Sequence, residues 1–173
     1  MNGDKHPWAG VARLIIIILF LSAGVTAANA GPFEKGSRRF SIVAGSGRML
    51  DSNYAIFGVG AGVFAADGLE LGLDGEAWLG SDPGIYKLSP RATYILPVRS
   101  RVRPYGGVFY SHIFIEDYDD LDTAGVRGGV YITTDKSWFL GLGAVYEVYL
   151  NCDESIHASC DDTYPEVSIL ITF

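Results

Sequence analysis

Charge is scarce in this chain. Asp, Glu, Lys and Arg make up 19% of its 173 residues, against 49% hydrophobic residues. Disordered chains have the opposite balance. Positive charge is scarcer still: 13 Lys and Arg stand against 20 Asp and Glu, a formal net charge of −7. Phosphate contacts need a basic face, so a general nucleic-acid binder is excluded. Two cysteines are too few for a disulfide scaffold or a four-cysteine zinc centre. Beyond Val25 no apolar run reaches the roughly 20 residues that a membrane helix needs. Glycine and aromatics are plentiful instead: 22 Gly, 3 Trp, 10 Tyr and 9 Phe. Mean hydropathy is +0.21. A chain this hydrophobic, without membrane helices, is either an unusually apolar soluble domain or a membrane β-barrel. Its length suits one domain.

The first residues form an address. Lys5, His6 and Arg13 outweigh Asp4, and the apolar run Leu14 to Leu21 follows. Ala28-Asn29-Ala30 then makes a small-residue exit before Gly31. That order is a cleavable secretory signal peptide, 1–30, ahead of a single domain, 31–173. No cysteine stands at the cleavage site, which excludes a lipoprotein signal. Export to an oxidising compartment predicts a disulfide between Cys152 and Cys160 in the last loop. A metal site shared with His157 would need more ligands than these.

The rest of the chain alternates. In Leu69 to Leu79 the odd positions are Leu, Leu, Leu, Gly, Ala and Leu, and the even ones Glu, Gly, Asp, Glu and Trp. A period of two sets one group on each face of a strand. Helical spacing would scatter Glu70, Leu73 and Asp74 around one side. Tyr86 to Leu96 repeats the pattern with Lys87 and Arg91 on the polar face and Pro90 read as a bulge or bend. Ala124–Thr133, Trp138–Leu150 and Glu166–Phe173 agree. Arg39–Gly47 and Asn53–Ala65 are Gly/Ala-rich strands. Arg103–Ile115 has mixed parity and is read with His112 inward and Ile113 outward. Eight strands result. Short turns at 66–68, 97–101 and 134–137 alternate with other connections, of which 116–122 and 151–162 are the longest and most acidic.

Such a sheet could be half of a soluble sandwich, its apolar faces meeting in a core. A membrane barrel fits better. The minority face holds Glu70, Asp74, Glu76, Lys87, Arg91, Arg127, Glu147 and Glu166, suited to an interior of paired ions. The apolar face continues to the last residue. Hydrocarbon tolerates no unpaired backbone, so a spanning sheet must close. The expected fold is an all-β, eight-stranded antiparallel up-and-down transmembrane barrel, with an interior that side chains nearly fill.

Leader, eight alternating strands and the ending Val167-Ser168-Ile169-Leu170-Ile171-Thr172-Phe173 together resemble the small outer-membrane barrels, the OmpA-like and OmpX-like superfamily. Pro104-Tyr105-Gly106-Gly107-Val108 is similar to a glycine-rich strand start common there. The resemblance implies the outer membrane of a Gram-negative bacterium. It implies that Phe173, Ile171 and Ile169 form the signal read by the barrel assembly machinery. It also implies contact with outer-membrane lipid and lipopolysaccharide, a monomer, and no cofactor.

Candidate chemistry is thin. Acidic strand 69–79 precedes basic strand 86–96, so adjacent pairing would let Glu70, Asp74 and Glu76 meet Lys87 and Arg91. Buried charges are tolerated when paired, and the reading is a lumen plugged by ion pairs. Some barrels of this type deacylate lipid A with Ser and His on the outer wall. Here Ser111 and His112 are neighbours on a strand and face opposite ways. Ser155 and His157 have suitable spacing but sit in a polar loop. Glu116, Asp117, Asp119, Asp120 and Asp122 are hard oxygen ligands of the kind calcium or magnesium takes, but they match no EF-hand pattern. They read as a solvated surface face or as weak cation bridges to lipopolysaccharide phosphates. Phe40, Tyr94, Tyr105, Trp138 and Phe173 are placed in the aromatic girdle of the periplasmic side. The functional expectation is a non-enzymatic barrel with a structural or surface-interaction role. The alternative is a narrow channel for small or apolar solutes, of OmpW type; a lipid A enzyme comes third.

Overall fold

The computed structural model describes residues 31–49, 52–80, 83–98, 100–116, 118–150 and 160–173. The expected leader, together with Asp117, Cys152, Asp153, Glu154, Ser155 and His157, lies outside the described residues. Eight strands follow in order: β1 (Arg38–Met49), β2 (Ser52–Ala66), β3 (Leu69–Leu79) and β4 (Ile85–Ile95), then β5 (Val102–Ile115), β6 (Leu121–Thr133), β7 (Trp138–Tyr149) and β8 (Asp161–Thr172). Each pairs antiparallel with the next. β8 returns to β1, from Arg39 opposite Thr172 to Gly45 opposite Glu166, and closes the barrel. Closure leaves the described sheet without an edge, as hydrocarbon requires. Connections 67–68, 96–101 and 134–137 share an end with residue 31 and Phe173. The junctions of β1 with β2, β3 with β4, β5 with β6 and β7 with β8 are at the other end.

The period of two decides the faces. Ile42, Val59, Leu71, Leu88, Val108, Val126, Leu142 and Val167 all point outward and are exposed. Among the described residues of the outward set, charged ones stand only beside strand ends, as Arg38, Asp122 and Asp161 do. An apolar exterior around a closed sheet is a surface made for lipid. Inward, two apolar clusters fill the ends of the lumen. The loop-end cluster includes Tyr54, Ile56, Trp78, Ile85, Phe109, Ile113 and Tyr164. The cluster at the end with both termini is Phe33, Phe64, Ile95, Tyr105, Tyr131, Phe139 and Leu170.

Several expectations need correction. In β5, Ile113 is buried in the lumen and the His112 side chain is outside, 38% exposed. The inward side of β5 lies partly in the loop-end apolar cluster, so both of its faces are apolar and parity carries no signal. Tyr105 belongs to the lumen, not the girdle. It is buried and stacks on Tyr131 with ring centroids 4.1 Å apart. Tyr94, Trp138 and Phe173 do face outward and are exposed. Pro90 makes no bulge. Leu73 pairs with it, and Leu88–His112 and Arg91–Phe109 keep one register across it. The register shift lies elsewhere, in β2 between Phe64 and Ala66. β6 begins at Leu121 rather than Ala124, and β8 at Asp161 rather than Glu166. The outward face of β8 accepts Pro165, so the strand runs through it, paired with Ala144.

Candidate functional site: the charged layer of the lumen

Between the two apolar clusters lies a belt of charge. Arg91, on β4, is its centre. Its Nε donates to Asp74 at 2.8 Å and its Nη2 to Glu70 at 2.9 Å. A guanidinium suits this because its planar fork can hold two carboxylates at once. Arg127, on β6, crosses the lumen: Nη1 reaches Asp74 at 3.0 Å and Glu166 at 3.3 Å. All these side chains are nearly or fully buried. Alternation alone put them there, each at an inward position of its strand.

Arg39 was not among the sequence candidates. It stands in β1 beside Arg38, where two adjacent bases give no alternation to read. Its Nη1 lies 2.9 Å from Glu70 Oε2, an ion contact rather than a hydrogen bond, since that oxygen takes none. The same nitrogen donates to the Tyr131 hydroxyl at 3.1 Å. The chain of contacts therefore runs Tyr131, Arg39, Glu70, Arg91, Asp74, Arg127, Glu166, and joins β1, β3, β4, β6 and β8.

Lys87 departs from the expected pairing. Its register partner on β3 is Glu76. Its ammonium nevertheless bonds Glu147 on β7, at 2.6 Å across the lumen. Trp78 and Tyr164 flank it, with ring centroids 5.1 and 5.8 Å away. Those rings add cation–π attraction where water is excluded. Thr123 donates to the same Glu147 oxygen at 3.3 Å. Glu76 accepts from Trp78 Nε1 at 3.3 Å. Sequence order shows which strands are adjacent, not which side chains meet across a barrel.

The room for this belt comes from β2. Gly58, Gly60 and Gly62 face inward, opposite the acidic face of β3. A Cβ on Gly60 would collide with the Asp74 carboxylate, and one on Gly62 with Glu70. The signal was present in the sequence as glycine at every second position, but its meaning depended on knowing what lay opposite. We expect Gly60→Val to destabilise the barrel by about 1–3 kcal/mol through overpacking. Ala61→Val, on the lipid side, should cost little. Urea unfolding in lipid vesicles would compare them, and equal effects would refute the spacing argument.

Among the described residues, the groups at the His112 ring nitrogens are carboxylates rather than a nucleophile. Nδ1 lies 2.8 Å from Asp122 and Nε2 3.4 Å from Asp120, so carboxylates take both nitrogens. Tyr110 donates to the same Asp122 oxygen. Ser111 is fully buried on the lumen side and bonds Ser89. Among the described residues no three metal-ligating side chains converge, and no cysteine is free.

No family model matches this chain, and no curated protein does. Solved structures do. The N-terminal β-barrel domain of Pseudomonas aeruginosa OprF has a TM-score of 0.61 at 16% identity, over 80% of this chain and 98% of that one. Neisserial surface protein A, NspA, also has 0.61, at 14% identity over 79% of this chain and 96% of its own. The outer membrane protein OprG from Pseudomonas aeruginosa has 0.51, at 11% identity over 84% and 99%. At these identities the likeness establishes the fold: a closed, eight-stranded antiparallel barrel of the small outer-membrane type.

Proposed function

We propose that this chain is an integral barrel of the Gram-negative outer membrane, closed to solutes, with a structural or surface-interaction role and no catalytic activity. One observation carries the reading. The belt from Arg39 to Glu166 spans the lumen and is capped at both ends by apolar clusters. Ions would have to break buried pairs and cross two dry layers to pass. The apolar exterior supports lipid as the surrounding medium, and the closed sheet leaves no edge for self-association, in keeping with a monomer. The leader supports export. The exposed, outward-facing Ile169 and Phe173 support recognition by the assembly machinery, and lipopolysaccharide is the natural neighbour of the loop end.

Planar-bilayer recording tests this. Purified barrel should give no sustained conductance steps above the bare bilayer at 1 M salt, a condition chosen to maximise any current. Sustained unitary steps would sink the plugged reading and bring the narrow channel forward. Lipid A of unchanged mass, from cells with and without the protein, is the expected result for the absence of catalysis.

A further inference from the structure

The strained segment just before β1 is not used by the reading above. Phe33 is the one non-glycine residue with positive φ, 71°, among the described residues. A bulky side chain rarely adopts that conformation unless its surroundings enforce it. They do here. The Phe33 ring is 4% exposed in the mouth of the barrel. It packs against Phe139 and Phe64 with centroids 4.5 and 5.6 Å away, and the Arg103 guanidinium lies 5.0 Å from it. Three bonds tie the backbone down: Gly36 N–H to Phe64 carbonyl at 2.8 Å, Gly68 N–H to Phe33 carbonyl at 2.8 Å, and Lys35 N–H to Asp67 at 2.9 Å. The segment is a hook that turns a hydrophobic stopper into the periplasmic mouth.

The hook begins at Gly31. Its nitrogen lies 2.8 Å from Glu34 Oε2, and the Glu34 N–H returns to the Gly31 carbonyl at 3.1 Å. A Cβ on residue 31 would stand 2.8 Å from Glu34 Oε1, so a larger first residue would push the carboxylate aside. Cleavage after Ala30 would turn this same nitrogen into an α-ammonium facing a carboxylate. We propose that residues 31–36 form a periplasmic stopper completed by removal of the leader, with the new Gly31 α-ammonium paired to Glu34. It rests on cleavage at that bond and is independent of the ion belt. The uncleaved chain can offer Glu34 only a neutral amide. The processed chain offers a charge, close against that carboxylate.

The test uses the processed protein purified from membranes. Its intact mass should correspond to a chain starting at Gly31. At pH 7 an α-amine paired with a carboxylate keeps its proton and resists acylation. Glu34→Gln should raise the rate of N-terminal acylation about threefold, the effect of half a unit of acidity. Glu34 is exposed, so this variant should fold. A cysteine placed at Leu170, fully buried in the same cluster, should react with an impermeant maleimide at least tenfold faster once Phe33→Ala removes the stopper. A different first residue, equal acylation rates, or a Leu170→Cys thiol equally shielded without Phe33 would each overturn the proposal. Conductance by the wild-type barrel would instead count against the plugged lumen and leave the hook standing.

Discussion

Replacing Arg91 by Met is expected to destabilise the barrel by about 3–5 kcal/mol, the usual cost of removing one partner from a buried ion pair. Among the described residues Arg91 alone touches both Glu70 and Asp74 through a single fork. Without it the belt holds more carboxylates than cations, in a place where water cannot compensate. Arginine cannot avoid its own burial by losing a proton, so the belt depends on full pairing. The informative comparison is with Arg91→Met combined with Asp74→Asn. That double variant keeps two complete pairs, Arg39 with Glu70 and Arg127 with Glu166. It should therefore be more stable than Arg91→Met alone. Arg91→Lys should recover little, because an ammonium lacks the planar fork. Equilibrium unfolding in lipid vesicles, followed by the heat-dependent shift in electrophoretic mobility, measures all three. A small cost for the single change would mean that the lumen is wet.

The second large effect lies on the other face. Leu142→Arg and Val130→Arg should each cost on the order of 2–4 kcal/mol if these positions meet the middle of the bilayer. Both point outward, and they are partners across the β6–β7 ladder. Leu150→Arg is the control. It is exposed at the loop end, just past β7, and should cost about 0–1 kcal/mol, as expected near the interface. A flat profile across the three sites would contradict a lipid-facing exterior. A soluble sandwich would show no dependence on depth.

Much of this architecture was legible because two requirements write themselves into every strand: an apolar side toward lipid and a polar or small side toward the lumen. β3 and β4 carry that alternation cleanly, and the inward acids and bases follow from it. β5 does not. Tyr105, Phe109 and Ile113 fill apolar ends of the lumen, so Tyr105 looked like a girdle residue and Ile113 like a lipid-facing one. Where both faces are apolar, only the partner strands fix parity. Arg39 escaped notice because Arg38 beside it erased the contrast. The Lys87–Glu147 bond was illegible for a different reason. Strand order records neighbours around the wall, whereas this bond crosses the interior. The hook at Phe33 gives no periodic signal, since a single turn has no period.

The cross-lumen bonds also bear on how the barrel is made. Asp74 with Arg127, Lys87 with Glu147 and Arg39 with Tyr131 join strands far apart along the wall. A sheet of the first four strands holds Asp74, Lys87 and Arg39 without their partners across the lumen. Asp74 and Arg39 have Arg91 and Glu70 as partners within those four strands, while Lys87 waits for Glu147 on β7. The last seam, β8 against β1, closes the wall and holds its opposite sides face to face. Arg91 can meet Glu70 and Asp74 as soon as β4 pairs with β3, whereas the cross-lumen contacts need opposite walls face to face. The finished wall therefore carries contacts that no partial sheet can make.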